Sequence, residues 1–277
     1  MNTAWIAKAR LVAARIAVQG LLVLAVAGGA SVHGQAPTAQ GQLGSISCSA
    51  PQDSSEIDKC AAMEDRILDA TVFVRFTLHC GHNGDRSQVA LVPSHATIMD
   101  SHTLLTHDHY YPLSDPNCDV VALEVAKASG EMLAEIEDVA TLEALTRQLR
   151  PDPAGTGAQI RVVRFQTPLF THVPQLTFEA TNRPASHAAF EYTGELAEIN
   201  WESFPRATRV EWVRPVALER RGSALGLVVN KSIEIGASGG GVFRITPNGI
   251  VHVGNIWGTW HDDDTSIIAL NQAAAFW

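Results

Sequence analysis

From Thr71 onward the chain is a succession of short β-branched runs, each closed by turn-forming residues. The runs are TVFVRFTL (71–78), QVALV (88–92), TLLT (103–106), VVALEV (120–125), EMLAEI (131–136), QIRVVRF (159–165), RVEWV (209–213), LGLVV (225–229), GVFRI (241–245), IVHVGNIW (250–257) and SIIAL (266–270). Many short strands with no helical period between them restrict the fold to an all-β sandwich or barrel. Helical spacing is confined to 54–68, 140–149 and the last residues, NQAAAFW. The Pro/Gly-rich stretch RPDPAGTG (150–157) divides the strands into two groups of about equal size.

The 277 residues fit one or two domains, and an apolar content of 46% is ordinary for a packed core. No run reaches the roughly 18 uncharged apolar residues that a membrane-spanning helix needs. Lys8, Arg10 and Arg15 precede a mostly apolar stretch, 16–30, that ends in small residues. That pattern reads as a secretory signal peptide over 1–30, cleaved after Ala30, with an uncleaved anchor as the rival reading. Residues 31–53 are rich in Gly, Ser, Gln and Pro and read as a flexible leader.

Loss of those three basic residues takes the formal charge from −9 to −12, which disfavours nucleic acid as a partner. All four cysteines lie beyond the signal stretch, and an even count in an exported chain reads as a disulfide framework. Three pairings are open; Cys48 with Cys60 and Cys80 with Cys118 is favoured, against the alternative that some are free and buried.

Between two strand runs stands SIEIGASGGGVFRI (232–245), with four glycines around Ser238. A tight turn accounts for some of them. G-x-S-G-G also suits a serine nucleophile, whose developing oxyanion needs backbone N–H groups converging beside Oγ; here they are those of Gly236 and Ser238. A nucleophilic serine needs a base. Of eleven histidines, His107 and His109 stand out, because TLLTHDHYY sets them at the end of an apolar strand.

The two motifs together resemble the chymotrypsin-like (trypsin-fold) serine peptidases. In that family the catalytic histidine follows [VIL]-[VIL]-T-x-x-H, which Leu104, Leu105, Thr106 and His109 match, and the serine sits in G-[DN]-S-G-G before a strand, a turn and V-G-x-x, as in GASGGGVFRITPNGIVHVGNIWG. The resemblance spans roughly Thr71 to the C-terminus. It implies two antiparallel six-stranded β-barrels, with His109 as general base, His107 as its neighbour and Ser238 as nucleophile. It also implies an acid before a strand in the segment linking the barrels. Asp119, 10 residues past His109, comes too early; Asp138, 29 residues past it, leads into helical pattern; Asp152, 43 past it and 86 before Ser238, leads into a strand. Asp152 is the expected acid and Asp138 the reserve.

Ala237 stands where pancreatic members carry Asp, so maturation through that salt bridge is not expected. The pocket base, six residues before the serine, is Ser232, which offers no carboxylate to a basic P1 side chain. The strand at 254–259 should flank the pocket, with Gly254 beside it and Trp257 narrowing or capping it. His252 and His261 are candidates for reading an acidic P1 residue, set against the reading of both as ordinary surface histidines.

Rival chemistries fit less well. G-x-S-x-G also marks the nucleophile elbow of α/β-hydrolases, but only 39 residues follow Ser238 and the Asp and His of that triad must come after it. A zinc hydrolase using the HDH of 107–109 is a second rival, although Tyr111 stands where H-x-H-x-D-H needs Asp. A third is a non-catalytic binding domain of the same fold. The sequence thus leads to a secreted or periplasmic serine endopeptidase acting on protein or peptide substrates, with no cofactor or metal and no lasting membrane association. Its expected organisation is a signal peptide (1–30), a leader (31–53), an N-terminal helix with the first barrel (54–149), and a linker, second barrel and C-terminal helix (150–277).

Overall fold

The computed structural model describes residues 47–81, 87–107, 110, 113, 115–149, 160–179, 195–201, 208–221, 224–234, 236–260 and 265–270. The expected signal peptide, most of the leader and the expected C-terminal helix lie outside them.

Helix α1 (Ser54–Asp69) begins at Asp53, whose carboxylate accepts the N–H of Glu56 at 2.9 Å, while Glu56 Oε2 accepts the N–H of Gln52 at 2.7 Å. These reciprocal bonds satisfy donors that the first turn leaves without helical partners. Cys60 on α1 is bonded to Cys48, and the same segment is held by Glu195, whose carboxylate accepts the N–H groups of Cys48 (2.6 Å) and Ser49 (3.0 Å).

Strand β1 (Thr71–Cys80) alternates as a half-buried strand must, with Val72, Val74, Phe76, Leu78 and Cys80 all buried. It pairs antiparallel with β2 (Gln88–Asp100) on one side and β4 (Cys118–Lys127) on the other. β3 (Thr103–His107), β5 (Met132–Ile136) and β6 (Ile160–Arg164) complete a sheet of order β5-β4-β1-β2-β3-β6, and Cys80 and Cys118, partners across β1 and β4, form its disulfide. Helix α2 (Val139–Leu149) carries the chain from β5 to β6 and buries Leu142, Leu145 and Leu149 in the same core as Phe76 and Leu78. The expected boundary near residue 150 is displaced: β6 pairs with β3, so the first sheet ends at Arg164. The Pro/Gly-rich stretch itself lies outside the described residues; its composition marks a loop and not the sheet to which the next strand, β6, returns.

The second sheet comprises β7 (Thr177–Phe178), β8 (Leu196–Trp201), β9 (Thr208–Val213), β10 (Pro215–Arg221), β11 (Ala224–Val229), β12 (Gly241–Thr246), β13 (Gly249–Trp260) and β14 (Thr265–Leu270). Its order is β10-β11-β14-β13-β12-β8-β9, with β7 added in parallel to β13. The ends of that path, β9 and β10, are separated by Arg214 alone. β9 and β10 thus form one bent ribbon whose halves pair with opposite ends of the path, β9 with β8 and β10 with β11, and β7 lies outside that path. Phe243, Ile199, Val253, Ile256 and Ile268 fill this core, which Ile67 of α1 joins.

The two sheets meet along a smaller cluster: Leu105 and Ile160 of the first, with Met99 and Val162 beside them, pack with Phe178 and Trp257 of the second. The architecture is the two-sheet, all-β arrangement that the strand pattern and the trypsin-fold resemblance imply.

Candidate active site

Ser238 lies in the turn between β11 and β12, where glycines do three separate jobs. Gly236 and Gly239 have φ of +106° and +83°, a region where any other residue is strained. A Cβ on Gly239 would stand 2.3 Å from the His95 carbonyl, 2.5 Å from Thr106 Oγ1 and 2.6 Å from His107 Cδ2. A Cβ on Gly240 or Gly241 would meet Ile199 Cβ at 2.8 Å or Phe243 Cζ at 2.5 Å. Glycine is needed here both for backbone hand and because two sheets close on the turn from either side.

The turn is fixed from several directions. Ala237 N–H donates to Glu234 O (3.1 Å), Gly240 N–H to Ala237 O (2.9 Å) and Gly239 N–H to Ile256 O (2.9 Å). From β13, Asn255 Nδ2 donates to Gly239 O at 2.7 Å. From β2, the His95 N–H (3.0 Å) and the Ser94 hydroxyl (2.7 Å) both donate to Ser238 O. Among the described residues, the N–H groups of Gly236 and Ser238 and the Ser238 hydroxyl have no protein hydrogen-bond partner, while the carbonyls around them are bonded. Bulges between Val242 and Phe243 and between Ile256 and Gly258 interrupt the ladders beside the turn, as bulges do where a strand must re-aim its side chains.

The end of β3 faces this turn. Thr106 Oγ1 donates to His95 O at 2.9 Å and lies 3.1 Å from Tyr110 Oη. His107 is buried, its ring stacked on Tyr110 with centroids 4.4 Å apart and its Nε2 3.0 Å from Ser94 Oγ. The single Ser94 proton is directed to Ser238 O, so His107 Nε2 donates to Ser94. A nitrogen used in that way supplies no metal ligand, which removes His107 Nε2 from the zinc reading of HDH. His109, two residues on, lies outside the described residues, as do Asp152 and His261.

The remaining expected positions fall as follows. Asp138 caps α2, its Oδ2 accepting the N–H of Thr141 at 2.8 Å, and that bonding holds its carboxyl below the usual range. Asp119 lies in β4 opposite His79 and lines a groove between β4 and α2. Ser232 is half-buried after β11, and Gly254 sits inside β13 between Val242 and Leu270. Trp257 packs into the cluster between the sheets with Leu105 and Ile160. Ala237 is fully buried.

His252 corrects the sequence reading in both its forms. It is neither on the surface nor available to an acidic side chain: the ring is fully buried between Phe178 and Phe243, at centroid distances of 5.2 and 5.3 Å, and burial lowers its pKa to about 3. It lies in β13, where residues 250–256 are buried without interruption.

Residues that sequence reading passed over carry much of the local geometry. Ser94 and His95 sit within VPSHAT, an unremarkable strand segment, and Asn255 within VGNIW; no local signal separates them from ordinary strand residues. Their role comes from β2 and β13 flanking the turn.

No protein-family model matches the chain, and no curated protein matches it. Among solved structures it is similar to the active form of the Rv3671c protease from M. tuberculosis (12% identity, 80% of this chain and 83% of that one, TM-score 0.48). A thermostable serine protease, AL20, from an extremophilic microorganism matches at 15% identity over 76% of this chain and 95% of that one, TM-score 0.48. An inactivated protease paralogue of the scabies mite matches at 9% identity over 75% and 92%, TM-score 0.48. Likenesses this distant carry no argument about chemistry, which rests on the site itself.

Proposed function

We propose that the chain is a secreted serine endopeptidase in which Ser238 is the nucleophile, His109 the general base and Asp152 the acid that orients it. One observation carries the reading: the Ser238 turn leaves two N–H groups and a hydroxyl without protein partners among the described residues, and Gly239 lies so close to Thr106 and to His107, two residues before His109, that a Cβ there would clash with both.

In the proposed reaction Ser238 Oγ attacks the peptide carbonyl carbon as His109 Nε2 takes its proton. The carbonyl oxygen becomes an oxyanion held by the N–H groups of Gly236 and Ser238. Collapse breaks the C–N bond, and the leaving amine takes the proton back from His109. Water then hydrolyses the acyl-enzyme by the same route in reverse. A serine is favoured over a thiolate because all four cysteines are in disulfides. The same disulfides, with the basic-then-apolar N-terminal stretch, support export. Ser232 and Gly254 remain the proposed pocket positions, and the substrate is a protein or peptide.

The test is labelling of the wild-type protein by a fluorophosphonate, which reacts with activated serines. Wild type is expected to label and Ser238→Ala and His109→Ala not to, with kcat on an unstructured protein falling on the order of 10⁴ to 10⁶ in each and little further in the double variant. Full labelling of Ser238→Ala, or an unlabelled wild type, overturns the reading; the latter favours the non-catalytic one.

A further inference from the structure

The Gly236–Ser238 turn is gripped at both ends by one residue of the other sheet. His95, in β2, gives its backbone N–H to Ser238 O at 3.0 Å, and its ring Nδ1 lies 2.8 Å from Gly236 O. A carbonyl oxygen only accepts, so Nδ1 carries a proton. The other ring nitrogen, Nε2, is 3.0 Å from Thr208 Oγ1 of β9, and in the neutral ring it accepts that hydroxyl's proton. The side chain is fully buried, edge-on to Phe73 at a centroid distance of 5.5 Å. Burial lowers the ring's pKa to about 4, against the raising effect of the Gly236 bond, so a single proton stays on the ring at neutral pH.

The grip matters because of the residue it holds. Gly236 stands at φ +106°, and glycine has low-energy alternatives of either hand. The bonds from Ala237 and Gly240 fix the later part of the turn and leave the Gly236 carbonyl untouched. With that carbonyl tied to His95 Nδ1 and the Ser238 carbonyl tied to His95 N, both ends of the turn are set from outside. The Gly236 N–H is joined to that carbonyl through a single Cα, so a carbonyl held in place narrows the directions the N–H can take.

We infer that His95 is a positioning residue for the oxyanion site, holding the Gly236 and Ser238 N–H groups convergent through its Nδ1–H bond to Gly236 O. The inference rests on the serine-peptidase reading. It concerns a residue that touches neither substrate nor nucleophile oxygen, and its effect belongs to the transition state: a loosened Gly236 donor should slow acylation and leave substrate binding nearly unchanged.

Two variants test it. His95→Leu removes the ring bond and keeps an apolar side chain in the buried site, while His95→Asn places an amide N–H close to where Nδ1–H was. The expected result is a kcat for His95→Leu lower by about tenfold to 10³-fold, where outright loss of one oxyanion donor costs about 10²- to 10³-fold, with KM within about threefold of wild type. His95→Asn should recover at least tenfold of that loss, and fluorophosphonate labelling rates should follow kcat. Thermal unfolding of each variant reports folding separately, and if His95→Leu does not fold, Thr208→Val takes its place, with an expected severalfold fall in kcat at unchanged KM. A wild type that labels alongside His95→Leu at the same rate, equal rates for the Leu and Asn variants, or a loss expressed in KM alone each overturn the inference while leaving the serine reading intact. A wild type that takes no label overturns both.

Discussion

The first and second sheets share a plan and differ in what fills them. The apolar core of the first comes from Val72, Phe76, Leu78, Leu104, Leu123 and Val125 of the strands and Leu142, Leu145 and Leu149 of α2, with the Cys80–Cys118 disulfide joining β1 to β4. Its buried polar side chains are hydroxyls and imidazoles only, Thr71, Thr97, Thr103 and Thr146 together with Ser94, His95, Thr106 and His107, and the last four face the Ser238 turn or one another beside it. The second sheet has no disulfide, and Glu198, Asn200, His252, Asn255 and Ser266 are buried within it among Leu196, Ile199, Phe243 and Ile268. Such groups cost stability unless they are bonded. Two of them serve the turn directly: Asn255 Nδ2 holds Gly239 O, and Asn200 Oδ1 accepts the Glu234 N–H at 3.0 Å. One sheet is therefore cross-linked and buries no carboxyl group, whereas the other buries Glu198 and Glu211 and adds Asn200 and Asn255 to the bonds that hold the turn.

Glu198 shows what that burial entails. It has no solvent exposure, its Oε1 has no hydrogen-bond partner among the described residues, and Ser266 Oγ approaches Oε2 only to 3.5 Å. Burial first, and then the neighbouring Glu211 carboxylate, raise its pKa to about 8, so at neutral pH it is mostly the uncharged acid. Burial also pushes Glu211 upward, but bonds from Lys231 and Asn200 and the charge of Arg209 outweigh it and keep that carboxyl below its ordinary range. Lys231 Nζ lies 3.0 Å from Glu211 Oε2.

Buried titratable groups lie in both sheets, His95 in the first and His252 and Glu198 in the second, and the largest expected consequence is on the acid side, at His252. His252 is neutral when folded, with a pKa of about 3 against 6.5 unfolded. Below pH 6.5 the unfolded chain binds a proton that the folded one refuses, so stability is full above 6.5 and is lost as pH falls toward 3, by roughly 4–5 kcal/mol. Urea unfolding of wild type and His252→Phe at pH 7 and pH 3 should show the variant losing less; an equal loss in both would place the acid sensitivity elsewhere. The contrast is sharpened by removing the first sheet's own cross-link. Cys80→Ala/Cys118→Ala frees a 38-residue sequence separation, which chain entropy values at about 4 kcal/mol. Hydrogen exchange should then rise in β1 and β4 before β12 and β13, and uniform exchange across both sheets would break the comparison. The smallest effect runs opposite in pH. Glu198 keeps its proton in the folded chain up to about 8 and loses it at 4.5 unfolded, so its contribution is full below 4.5 and is lost as pH rises to 8. Glu198→Gln should remove roughly 3 kcal/mol of the difference in stability between pH 5 and pH 8. An unchanged difference would mean that the carboxyl ionises without cost where it lies.

How much of this was legible beforehand follows from the range of each signal. Period-two alternation in TVFVRFTL and the polar start at Asp53 are local, and β1 and α1 form where those signals stand. The RPDPAGTG stretch is also local, but it says only that the chain turns, and the return of β6 to β3 is a pairing between residues far apart in sequence. His252 has no local mark of burial, because residues 250–256 of β13 are all buried and the cover comes from Phe178 and Phe243 on other strands. At the site, the glycine cluster announced a constrained turn, and the reason for Gly239, the carbonyl of His95 and the side chains of Thr106 and His107 at less than 3 Å, belongs to two other strands.

The sequence by itself determined the all-β class, the two short helices and the unusual turn at Ser238, since each follows from residue type and short-range spacing, whereas which of the three cysteine pairings forms depended on strand pairing. Only the tertiary structure decided which strand closes which sheet, which histidines are buried, and that Ser94, His95 and Asn255 converge on the turn. Those outcomes depend on contacts whose partners are separated by many residues and on desolvation, which is a property of the assembled surroundings and not of any segment. His95 is the plainest case: as a residue of a strand it is unexceptional, and it becomes a clamp because folding brings Gly236 O and Thr208 Oγ1 to its two ring nitrogens.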